Sequence, residues 1–92
     1  VSPSSYRERI PVKSAKRALD VFEYFASRRR PATVGEICAA LTLPQSSTSL
    51  LLRSLHKLGY LRYSMRTRRY FPTDKFRALG EWIEPTINEP QT

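Results

Sequence analysis

Between Pro31 and Gly59 the chain has room for two helices and only a tight turn to join them. Thr33-Val34-Gly35-Glu36 fits the capping box, in which a Thr side chain accepts from a free backbone N–H and the Glu three residues on accepts in return. Val34, Ile37, Cys38 and Leu41 then make a short apolar face, and the helix is expected to stop at Thr42-Leu43-Pro44. A longer helix starts at Pro44 or Gln45, because proline suits the first helical turn. It runs to Leu58, where Gly59 supplies a left-handed stop. Thr48, Leu51, Leu52, Leu55 and Leu58 form its predicted buried stripe, while Gln45, Ser46, Ser49, Leu50, Arg53 and Lys57 face the other way. Two helices packed at a wide angle through such a turn leave the second with one face free of the core.

The flanks complete an architecture. Upstream, Ser14 is a good N-cap residue, and Ala15, Ala18, Leu19, Phe22, Phe25 and Ala26 recur at helical spacing, which predicts one buried stripe. Lys16, Arg17, Asp20 and Glu23 fill the opposite, solvated side. Pro31 ends this helix. After Gly59 the period changes to two: Tyr60 to Tyr63 and Arg69 to Phe71 read as short aromatic-rich strands, joined by the basic loop Ser64 to Arg68. Thr73 or Asp74 caps a last helix carrying Phe76, Leu79, Trp82 and Ile83, weakened by Gly80 and ended by Pro85. The fold class expected is mainly α with a small β-hairpin: a winged helix-turn-helix, three helices plus a wing. Residues 1–12 read as a flexible arm, 13–73 as the domain, 74–85 as a linker helix and 86–92 as a tail.

Charge points to the partner. The 92 residues carry a formal net charge of +8, which implies attraction to a polyanion. A spanning helix needs roughly twenty apolar residues, and no such run exists. Val1 to Ile10 has no apolar stretch for a secretory signal. Cys38 is alone, so no internal disulfide can form, and a reducing cytosol is the expected home. One Cys and one His, His56, are too few for a structural zinc site, and no cofactor is expected. A start other than Met suggests a piece of a longer protein.

The free face of the longer helix suits the major groove. Gln45 can bond adenine bidentately. Ser46, Ser47 and Ser49 carry short hydroxyls for phosphates or base edges, Arg53 can grip a phosphate or a guanine edge, and Leu50 can touch a thymine methyl. Arg66, Arg68 and Arg69 sit where a wing reaches the backbone or the minor groove. From Arg53 to Arg77 eight basic residues meet only Asp74. Each signal has a plainer alternative: serines at a helix start cap it, and an exposed Arg is solvated. Arg28-Arg29-Arg30 serves either a helix C-terminus or a phosphate. Catalysis fits poorly, because His56 has no visible carboxylate partner, Cys38 lies on an apolar face, and Gly35, Gly59 and Gly80 are isolated.

An ordered set of segments carries a resemblance: Arg17 to Ala26, Arg30 to Ile37, Leu43 to Ser47, Leu51 to Leu55, Leu58 to Leu61, Arg69-Tyr70 and Ala78 to Gly80. In order and spacing they resemble the N-terminal domain of IclR-type regulators, over roughly Lys13 to Gly80. The resemblance implies a bacterial transcription regulator, dimeric or tetrameric, on palindromic double-stranded operators. It also implies a C-terminal domain for a small-molecule effector, outside this chain. By position it points to Gln45, Ser46, Ser47, Ser49 and Arg53 as DNA contacts. Gln45 stands where the family commonly has Lys and Leu50 where it commonly has Arg, the wing lacks the usual turn Gly, and Phe71-Pro72 replaces a more polar strand end. Two rival readings remain, a winged-helix protein-interaction module and an enzyme fragment.

Overall fold

The computed structural model describes residues 12–83. Three helices come first: α1 (Lys13–Arg28), α2 (Val34–Leu41) and α3 (Gln45–Lys57). A two-stranded antiparallel hairpin follows, β1 (Leu61–Ser64) and β2 (Arg69–Pro72), and a short α4 (Asp74–Glu81) closes the described chain. This is the expected winged helix-turn-helix. The arm over residues 1–11, the helix end at Pro85 and the tail at 86–92 lie outside the described residues.

The capping box forms as read. Glu36 N–H donates to Thr33 Oγ1 at 3.1 Å and Thr33 N–H donates to Glu36 Oε1 at 2.9 Å. α1 begins differently from expectation: Val12, not Ser14, holds the N-cap position, and no side chain caps it. Each of the first two helices ends on a non-glycine residue in the left-handed region, Arg29 at φ 60° and Thr42 at φ 55°. Gly59 takes φ 93° just after α3, where a Cβ would meet Lys75 Cδ at 3.3 Å.

The core is Val21, Phe22, Phe25, Ala32, Ile37, Leu52, Leu61 and Tyr70, with Thr48 fully buried beside them. Two stripes differ from the sequence reading. On α1 the buried face is turned toward Val21, which is wholly buried, and away from Leu19, which is 62% exposed. Each residue advances a helix by about 100°, so a face centred on Val21, Phe22 and Phe25 leaves Ala15, Leu19 and Ala26 outside. On α3 the stripe holds for Thr48, Leu51, Leu52 and Leu55, but Leu58 lies past the last helical turn and is exposed.

β1 and β2 pair in register from Leu61 opposite Pro72 to Ser64 opposite Arg69. Tyr60 therefore precedes the strand rather than opening it. The other edge of β2 is also used: Ala32 and Tyr70 exchange backbone hydrogen bonds at 3.0 and 2.8 Å. The loop between α1 and α2 thus becomes a third, one-residue strand that holds the wing against the helices.

α4 meets the core through one residue. Phe76 stacks on Phe22 with ring centroids 4.0 Å apart, while Leu79, Trp82 and Ile83 remain exposed. Trp82 and Ile83 do not close the core, since α4 ends at Glu81 and both residues lie past its last turn. Thr73 holds the N-cap position of α4 but does not cap with its side chain. Its hydroxyl instead donates to the Gly59 carbonyl at 2.7 Å, and Lys75 Nζ donates to the Leu58 carbonyl at 2.9 Å, so the start of α4 is fastened to the end of α3.

Candidate nucleic-acid interface

α3 packs its Thr48–Leu52 side on α2 and β1 and leaves the opposite face in solvent. Gln45 and Ser46 open the helix and are exposed, and Leu50, 58% exposed, lies one turn further along. The first turn holds no acidic residue, and no side chain caps its N–H groups. Positive potential at a helix start favours an anion. Further along, Arg53 Nη1 donates to Ser49 Oγ at 3.4 Å, which aims the guanidinium along the free face. Ser54 turns inward on its own helix, donating to the Leu50 carbonyl at 2.9 Å.

Ser47 is exposed and accepts a hydrogen bond at 3.2 Å from Nη1 of Arg17 on α1. The sequence puts Arg17 on a solvated helix face with Lys16, Asp20 and Glu23. In the structure Lys16 holds Asp20, at 2.7 Å and one full turn away. The signal available in the sequence was the competition of two adjacent cations for one carboxylate.

The wing projects from the same side chains that fill the core. Tyr63 packs on Tyr70 with centroids 4.6 Å apart, and Arg62 lies over the Phe71 ring at 5.4 Å. At the tip Arg68 adopts φ 59° and donates its N–H to the Ser64 carbonyl at 2.6 Å, while Thr67 N–H donates to Ser64 Oγ at 3.3 Å. Arg68 thus occupies the left-handed position a turn glycine would take. Arg66 and Arg68 are both exposed. Arg69 points back toward the body, with Nη2 4.0 Å from Glu36 Oε2.

Glu36 is the junction of these parts. It accepts from Thr33 N–H and from Arg28 Nη2 at 3.2 Å, and faces Arg69. The Thr33 bond chiefly, with the two guanidiniums, holds its carboxyl below the usual range against the opposing effect of burial. Arg28 also donates to Tyr24 Oη and to the Pro31 carbonyl, both at 2.9 Å. Of the Arg28-Arg29-Arg30 cluster, Arg28 is therefore a brace, Arg29 Nε donates to the Ala26 carbonyl at 3.3 Å at the helix end, and Arg30 is exposed.

His56 and Cys38 are placed in structural roles. His56 Nδ1 lies 2.9 Å from the Leu61 carbonyl, which makes that nitrogen the donor, and the ring sits beside the packed pair Tyr63 and Tyr70. Cys38 is half-buried with Sγ 3.9 Å from the Pro44 carbonyl, at the turn. Burial, with Tyr63 beside it, pushes the Tyr70 phenol up. Among the described residues no group of three or more metal-ligating side chains occurs, and no helix is long and apolar enough to cross a membrane.

Between Glu36 and Asp74 the chain contains no carboxylate. α3 and the wing both fall within that stretch, so the free face and the wing tip share one sign of charge. Comparison with known proteins agrees with this geometry. The model of the IclR helix-turn-helix domain matches residues 14–64. The solved structure of an IclR transcriptional regulator from Alicyclobacillus acidocaldarius is similar at a TM-score of 0.71 and 25% identity, over 76% of this chain. This chain spans 28% of the length of that regulator. No curated protein sequence matches this chain. The matched model covers more than half of the chain, from the start of α1 to the end of β1, and the chain belongs to the IclR helix-turn-helix family, as a non-enzymatic DNA-binding domain of a transcription regulator.

Proposed function

We propose that this domain reads a specific double-stranded DNA sequence, with α3 in the major groove and the wing on the flanking backbone or minor groove. The observation that carries the reading is the carboxylate-free surface shared by the exposed face of α3 and the wing tip. Gln45, Ser46, Ser49 and Leu50 meet base edges, Ser47 and Arg53 stand at their margins, and Arg66 and Arg68 contact phosphates. Arg69 reaches the backbone only by leaving Glu36. The regulator is a homodimer or a tetramer of such dimers, and half-sites lie about one helical turn apart, roughly 34–36 Å. The exposed Leu19 on α1 and Leu79, Trp82 and Ile83 at the linker helix support a second subunit as partner. A small-molecule effector acts through a further domain beyond this segment.

Selection from a pool of random duplexes tests the reading. The expected product is an inverted repeat, and Gln45→Ala relaxes preference at one base position in each half-site by about 1–3 kcal/mol. A pool that emerges unenriched, together with retained binding to a protein, would turn the reading into that of an interaction module.

A further inference from the structure

We infer that Arg17, on the first helix, is itself part of the DNA contact: it holds a backbone phosphate beside the start of α3, and Ser47 steers its guanidinium. The inference rests on α3 being the recognition helix.

Arg17 is half-buried on α1, yet its Nη1 donates to Ser47 Oγ at 3.2 Å, across 30 residues of sequence. This brings a cation from one helix to the first turn of another. Of the two carboxylates on α1 only Asp20 lies within a turn of Arg17, and it pairs with Lys16 at 2.7 Å. Among the described residues no ion pair involves Arg17. A guanidinium has five N–H donors, so one hydroxyl leaves most of them free. α3 repeats the device at Arg53, whose Nη1 is held by Ser49 Oγ. Two guanidiniums are thus directed by serines two positions apart on one helix. A hydroxyl fixes the direction of an arginine without neutralising its charge, whereas Arg28, which braces the fold, is held by a carboxylate. The ligand that suits a directed, uncompensated guanidinium is a phosphate, which it can take in a bidentate fork. Arg17 approaches from the flank of α3, and the flanks of a helix lying in a groove face the backbone.

The test is fluorescence anisotropy of the whole chain on a random-sequence duplex across a salt series, with wild type, Arg17→Gln, Arg17→Lys and Ser47→Ala. Removing one phosphate contact should reduce the slope of log affinity against log salt by about one and weaken binding about five- to tenfold at 0.1 M salt. Arg17→Gln shows both effects equally on any sequence, and Arg17→Lys keeps the wild-type slope. Ser47→Ala keeps the slope while binding weakens about two- to threefold, as loss of one directing hydrogen bond implies. Equal slopes for Arg17→Gln, Arg17→Lys and wild type would overturn the inference and leave Arg17 as a brace between α1 and α3, with the recognition helix untouched. Absence of salt-dependent binding by the wild type would overturn both.

Discussion

Thr48 is wholly buried against the core, and its Oγ1 has no hydrogen-bond partner among the described residues. A buried hydroxyl without a partner carries its full desolvation cost, and an apolar group of the same shape removes it. Thr48→Val is therefore expected to raise stability by about 1 kcal/mol, read as a higher melting temperature, with DNA affinity unchanged because the residue faces away from the free side of α3. An equal or lower melting temperature would show that the hydroxyl is satisfied. At this scale the sequence was legible where chemistry is local. The capping box at Thr33 and Glu36 and the stop at Gly59 depend on neighbours within a few residues. The Arg17–Ser47 contact and the turn of Arg69 toward Glu36 join positions far apart in the chain, and residue types alone carry no such distances.

Glu36 links three elements, since it caps α2, pairs with Arg28 at the end of α1 and faces Arg69 on β2. Its carboxyl titrates lower in the folded chain than in the unfolded one. By linkage its contribution is complete above the unfolded value, about 4.3, and is lost as pH falls through the depressed folded value. The expected outcome is that wild type melts higher than Glu36→Gln at neutral pH and that the difference shrinks below about pH 4.3. A difference constant from pH 7 to pH 3 would mean that the charge of Glu36 is irrelevant to the junction. Element order and type were legible because each segment has a clear period. The faces were less so: α1 has apolar residues over more than half its circumference, and only contact with Ile37, Leu52 and Tyr70 selects Val21 over Leu19. The one-residue strand at Ala32 left no periodic trace, because a single pair of backbone hydrogen bonds needs no particular side chain.

The whole molecule is a small core with a strongly uneven surface. Its carboxylates lie before Ile37 or after Thr73, and the intervening stretch builds both the helix that stands free and the hairpin that flanks it. Exposed apolar residues are spread more widely: Leu19, Leu79, Trp82 and Ile83 lie on α1 and on or just past α4, and Leu50, Leu58 and Met65 lie on α3, just past it and in the wing. The charged surface was legible from the order of residues, since a long gap between carboxylates survives any fold. The apolar surface was not, because Leu79, Trp82 and Ile83 read equally well as core. The most direct test of the DNA-binding surface is affinity for duplex DNA as a function of salt, for wild type, Arg66→Ala and Arg68→Ala. The account predicts a steep fall of affinity with salt and a slope lower by about one for each substitution. A slope untouched by either substitution, or no binding at low salt, would contradict it.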